Sequence, residues 1–197
     1  IHVQELSYRY NRILSVSASA FYNVPHIKTL LLNINSIAFL HRYALKGLSQ
    51  LEKLRLDNNL LTDLFKETFE DNVKLKTLNL RNNRISVIFN STFLMLRNLT
   101  ILDLGGNKIT HIKPSGLDGL ISLSKLYLDG NNLQHVDSSL YHVFQDTLTT
   151  LDLQSNQIRF LTETKESPFK NLSRLSDLKL DRQRPYGMTI LPRTFFR

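Results

Sequence analysis

Seven asparagines, Asn11, Asn35, Asn59, Asn83, Asn107, Asn131 and Asn156, stand 24 residues apart, save for a last step of 25. Around them runs the frame L-x-x-L-x-L-x-x-N-x-[IL]. It is clearest at Leu51, Leu54, Leu56 and Asn59, and at Leu99, Leu102, Leu104, Asn107 and Ile109. A fixed period of this length marks a stack of equivalent units. No unit can bury its apolar side alone, so each is stabilised by its neighbours. The architecture is thereby fixed as a repeat array, and it points to binding rather than catalysis.

The frame alternates apolar and polar over its first six residues, which is the period of a strand with one buried face. The Asn follows where the chain leaves the strand. Its side chain carries donors and an acceptor, and buried at a turn it satisfies backbone groups that no strand partner reaches. Stacked repeats should therefore align these residues as a ladder. A second ladder falls ten residues later: Phe21, Leu45, Phe69, Phe93, Leu117 and Tyr141, then Phe169 and Phe195 after small insertions. We read it as a packed spine. Neighbouring strands should pair in parallel about 4.8 Å apart. The bulkier returns put the strands on the inside of a curve. The expected fold is an α/β-type repeat solenoid, with a parallel sheet on the concave face and mostly irregular convex returns.

Eight units account for the chain as one array: 3–26, 27–50, 51–74, 75–98, 99–122, 123–147, 148–174 and 175–197. The sixth gains a residue after Phe144. The seventh gains three in the polar stretch 162–168. The eighth breaks the pattern, with Gln183 in the place of Asn and an irregular loop, Arg182 to Met188, before the frame resumes at Ile190. Both ends cut through a repeat and no cysteine is present, so the expectation is an internal fragment without terminal caps. There is no apolar run long enough to cross a membrane. Three N-x-[ST] sequons, at Asn90, Asn98 and Asn171, fall outside the strands and are the expected glycosylation positions.

The net charge is +8, but its distribution says more than its size. On the strand faces acids and bases nearly balance. Lys53, Arg55, Lys76 and Arg81 form a basic field, and Asp103, Asp129 and Asp152 an acidic band beyond it. The flank just after the Asn ladder is more one-sided, with Arg12, Arg84, Lys108, His111, His135 and Arg159 against few acids besides Asp63. Such a stripe attracts an anion such as a nucleic-acid backbone. His111 and His135 occupy the same position in adjacent repeats, and paired histidines can act as a switch below about pH 6.5. In the irregular loop, Arg182, Arg184 and Tyr186 form a third candidate group, with Tyr186 available to stack on a base. Catalytic motifs are missing: no nucleophile elbow, no phosphate-cradling glycine loop and no metal-ligand spacing. Gly105, Gly106 and Gly130 we read as opening room beside the ladder. No cofactor and no metal are expected.

The frame, with the Phe69 and Phe93 spine over 24-residue repeats, resembles the typical extracellular leucine-rich repeat class. The insertions at 162–168 and 182–188 make it most similar to a vertebrate Toll-like receptor ectodomain, over essentially the whole chain. The resemblance implies a non-enzymatic innate immune sensor that binds a microbial ligand, RNA favoured over protein, and forms a receptor homodimer on binding. It also implies an extracellular or endosomal setting and a parent chain anchored by a single membrane span. The alternative is a secreted or cell-surface adhesion or matrix protein that binds another protein.

Overall fold

A computed structural model describes residues 2–159 and 167–191. The insertion residues Thr162, Glu163, Thr164, Lys165 and Glu166 lie outside these, as do Phe195 and the rest of 192–197. Twelve short strands follow in chain order: β1 Glu5–Ser7, β2 Ser15–Val16, β3 Thr29–Leu31, β4 Phe39–Leu40, β5 Lys53–Arg55, β6 Thr77–Asn79, β7 Val87–Ile88, β8 Ile101–Asp103, β9 His111–Ile112, β10 Lys125–Tyr127, β11 Thr150–Asp152 and β12 Asp177–Lys179.

Eight of these, one from each repeat, form a single parallel sheet in the order β1-β3-β5-β6-β8-β10-β11-β12. The register follows the period, so Leu54 lies beside Leu78, Leu78 beside Leu102, and Leu102 beside Leu126. Each of these central leucines points away from the open sheet face and is buried, and only Leu6 and Leu178 at the two ends of the sheet are partly exposed. Truncating one of the buried leucines to Ala costs about 2–5 kcal/mol. The returns are less irregular than the frame implies. β2 pairs with β4, and β7 with β9, as two small parallel ladders along the flank. Among the described residues the single helix is the 3-10 segment Ser138–Phe144, capped by Asp137.

The asparagine ladder works through three bonds per rung. Asn59 Nδ2 donates to the Leu32 carbonyl of the preceding repeat and to Leu56 of its own, both at 3.0 Å, while its Oδ1 accepts from the Ile37 amide at 3.0 Å. Asn83, Asn107, Asn131 and Asn156 repeat this pattern, each fastening its repeat to the one before. Gln183 does not break the ladder. Its Nε2 donates to Leu153 O at 2.8 Å and Leu180 O at 3.1 Å, and its Oε1 accepts from Ile158 N at 2.9 Å. The longer side chain performs the same role because the amide, not the chain length, supplies the chemistry.

The residue before each rung has a left-handed backbone. Tyr10, Ile34, Asn58, Asn82, Gly106, Gly130, Ser155 and Arg182 have φ between 53° and 65°. Gly106 and Gly130 therefore serve this backbone requirement, which Gly meets without a Cβ penalty. Gly105 is different, and its neighbour is a side chain of the sheet face.

Candidate functional site

In the middle of the sheet face, most of the basic field is bonded to carboxylates. Arg81, which follows β6, reaches across two repeats. Its Nε donates to Asp103 Oδ2 at 2.9 Å, and its two terminal nitrogens donate to the two Asp129 oxygens at 2.9 and 2.7 Å. The guanidinium passes over Gly105, where a Cβ would stand 2.3 Å from Arg81 Nη2. Gly105 does open room, and the occupant is Arg81. The bonds to Asp129, with those to Asp103, hold the Arg81 guanidinium above its ordinary range. The basic field and the acidic band are thus one bonded network.

Two more of the four field residues are engaged. Arg55 bonds to buried Asp57 through Nε at 3.0 Å and Nη2 at 2.9 Å, which raises its affinity for the proton. Lys76 donates to Glu52 at 2.9 Å, and this bond holds the Glu52 carboxyl below the usual carboxylate range. Lys53 is exposed and in no ion pair among the described residues. Asp152 is buried and accepts from the Gln154 side chain and backbone. Leu31, outward by strand alternation, is also buried.

The flank is built otherwise. The turn after each rung brings successive repeats to the same register, so Arg84, Lys108, Asn132, Gln157 and Arg184 follow the ladder as one column. Arg84, Lys108, His111, His135 and Arg159 are all exposed, and none is in an ion pair among the described residues. The loop joins this face through Arg184, whose guanidinium donates to Asn131 O, to Asn132 Oδ1 at 3.1 Å and to Ser155 O at 3.2 Å. It straps repeat eight onto repeats six and seven and keeps its charge at the surface. Two groups that are far apart in sequence, the flank cations and the loop, thus meet on one side. Tyr186 stands clear at 92% exposed, and Arg182 occupies the left-handed position before the last rung.

His111 and His135 line one recess of about 370 Å³, together with Asn132, Gln134, Asp137 and Tyr141. His111 Nδ1 lies 2.9 Å from the Thr110 hydroxyl. Sequence reasoning missed this recess, as well as a cluster of rings on the N-terminal part of the flank. There Phe39, His41 and Tyr43 contact in series, with centroids 6.2 and 5.8 Å apart, and Arg42 lies over Phe65 at 4.7 Å. Phe39, Tyr43 and Phe89 are exposed. The available signal was the register: His41, Phe65 and Phe89 share one position in three consecutive repeats.

The sequons sit on the returns. Asn90 uses Oδ1 to accept from Ser115 N at 3.0 Å, and Asn98 Nδ2 donates to Val73 O at 2.9 Å. Asn90, Asn98 and Asn171 are all exposed.

A parallel stack of one-strand units, locked by an amide ladder, defines a repeat-solenoid binding scaffold. The leucine rich repeat family model matches residues 1–61, 49–99 and 73–133, and the chain belongs to that family. Within it, the chain resembles a Toll-like receptor ectodomain. The crystal structure of the TLR13–ssRNA13 complex superposes with a TM-score of 0.88 at 29% identity, covering 98% of this chain. The leucine-rich repeat domain of APL1 follows the same fold with a TM-score of 0.79 at 19% identity over 95% of the chain. A leucine-rich repeat protein of Leptospira interrogans gives 0.76 at 26% identity over 91%. The chain spans 27%, 46% and 42% of the lengths of these three structures. No curated protein matches it.

Proposed function

We propose that this chain is the ligand-binding portion of an innate immune pattern-recognition receptor, and that its flank takes single-stranded nucleic acid, RNA in particular. One observation carries the reading. Three of the four cations of the sheet-face basic field, Arg55, Lys76 and Arg81, are bonded to carboxylates, whereas Arg84, Lys108, Arg159 and the histidines of the flank have no such partner among the described residues. Unpaired cations in a row release counterions when a polyanion binds, and that release is the main source of its affinity. The likeness to TLR13, solved with ssRNA13, supports the same class of ligand. On this reading the scaffold performs no catalysis, the parent protein is a single-pass membrane receptor facing the extracellular space or the endosomal lumen, ligand binding brings two copies together, and Asn90, Asn98 and Asn171 carry glycans.

The test is binding of labelled single-stranded RNA and DNA to the full-length protein at about pH 5.5 and about pH 7.5, each at low and high salt. With about four phosphate contacts, log affinity should fall with log salt at a slope of about −3. Absence of binding under all four conditions sinks the nucleic-acid reading. A protein partner is the second reading, favoured by the exposed rings Phe39, Tyr43 and Phe89. Aromatic anchors of this kind dominate protein interfaces, and binding through them would depend only modestly on salt.

A further inference from the structure

The spine position is held by Phe or Leu in six described repeats, and by a tyrosine once, at Tyr141. Its ring is packed like the others, 5.9 Å from Phe144 and 6.5 Å from Phe169 by centroid. The residue is only 4% exposed. A phenol whose ring is buried keeps its hydroxyl where a partner or solvent can reach it. This hydroxyl has no partner among the described residues, and Tyr141 lines the recess beneath His111 and His135. Burial, with the Asp137 carboxylate second, pushes the phenol up, so it remains a hydroxyl donor across physiological pH.

The recess exists because the return changes form. Repeats four and five close their flank with the β7–β9 ladder. In repeat six no strand forms at His135, and the 3-10 helix Ser138–Phe144 takes the chain away, leaving a hollow beside β9. Asp137 spends Oδ1 on the helix, accepting from Ser139 N at 3.0 Å and Ser139 Oγ at 2.6 Å. Its Oδ2 has no partner among the described residues. The Gln134 amide adds a donor and an acceptor, while Leu133 and Leu140 supply apolar walls. At the rim, Arg184 donates to Asn132 Oδ1.

These groups describe a ligand. Apolar walls suit a flat ring, and the polar groups at their edge present both donors and acceptors, as a nucleobase edge requires. The cation at the rim suits a phosphate attached to it. A volume of about 370 Å³ falls within the usual range of small-ligand sites, about 300–1,000 Å³. We propose that the recess between His111 and Tyr141 accepts one unstacked nucleotide of a bound single strand, with the base inside and the phosphate at Arg184. This rests on the reading of the flank as a nucleic-acid surface.

The experiment titrates the full-length protein with each of the four ribonucleoside monophosphates, with the corresponding nucleosides, with inorganic phosphate and with a short single-stranded RNA. It does so for the parent protein, for Tyr141→Phe and for Gln134→Trp. Tyr141→Phe keeps the spine ring and removes only the hydroxyl, so the thermal midpoint should hold or rise. Nucleotide affinity should fall about five-fold, the loss of one hydrogen bond. Gln134→Trp fills the recess from an exposed position and should abolish nucleotide binding. RNA that binds with undiminished affinity in both variants, with no nucleotide binding, overturns the recess and leaves the flank reading in place. Nucleotide binding that responds to both variants, without RNA binding, upholds the recess and removes the flank reading. Inorganic phosphate competing as well as the nucleotide shows that no base enters, and the inference fails.

Discussion

The sheet face and the flank beside it both carry cations at regular intervals, and the fold treats them differently. On the sheet face the strands hold side chains at about 4.8 Å spacing, close enough for Arg81 to reach Asp103 and, across Gly105, Asp129. On the flank the acids are few, and cations such as Lys108 meet solvent. A count of cations alone would not separate the two regions. What separates them is whether each charge has already been compensated, because a paired cation must lose its partner before it can take a ligand. The lesson is that a basic composition marks a binding face only after internal pairing has been subtracted.

The largest effect expected is on the ladder that joins the two faces. Asn107→Ala removes bonds to Leu80 O, Leu104 O and Ile85 N, all in buried surroundings. Three orphaned backbone groups should lower stability by about 3 kcal/mol or more, measured by denaturant unfolding. Asn11 bonds only within its own repeat and is exposed, so Asn11→Ala should change stability by less than about 1 kcal/mol. Equal losses at the two positions would contradict the inter-repeat role of the rung.

Next in size is the sheet-face network. Arg81→Ala should cost about 2 kcal/mol, between the values for exposed and buried ion pairs, and leave RNA affinity within about two-fold. Gly105→Ala should cost a similar amount, because the new Cβ displaces the guanidinium. Since both changes break one network, the double variant should be little worse than either alone. Additive losses in a double-mutant cycle would separate Gly105 from Arg81. A loss of RNA binding in Arg81→Ala would erase the distinction between the faces.

The smallest effect concerns Glu52. Its carboxyl is held low by Lys76, so the pair contributes above the ordinary carboxylate range and is lost as pH falls through the lowered value. Glu52→Gln should remove that pH dependence by slightly lowering stability near neutrality while leaving the acid limit unchanged, as seen in thermal melts across acidic pH. An unaltered acid-side profile would show that the pair contributes nothing.

The scaffold was legible because its determinants repeat. Leu78, Asn83 and Phe93 recur at fixed spacing, and one local rule read eight times gives the sheet, the ladder and the spine. Gln183 looked like a break because residue identity was compared, whereas the structure tests for an amide in reach of Leu153 O. The Arg81–Asp129 bond spans 48 residues, two repeats, so it could have been sought by register, with Gly105 midway as the clue. The flank cations were legible as a stripe, but their lack of ion-pair partners among the described residues was not, since pairing depends on side-chain paths. The recess was hidden for a different reason. It arises where a strand fails to form at His135, and that the Tyr141 hydroxyl has no partner among the described residues is visible only once the spine is packed.

The most direct measurement compares two charge reversals in the full-length protein: Arg84→Glu with Lys108→Glu on the flank, and Lys53→Glu with Lys76→Glu on the sheet face. Single-stranded RNA affinity is read across a salt series. The account predicts that the flank pair loses at least about ten-fold in affinity and that its salt slope falls by about 1.4, two contacts of about 0.7 each, while the sheet pair stays within a few-fold of the parent. Loss confined to the sheet pair, with the flank pair binding as the parent does, would contradict it.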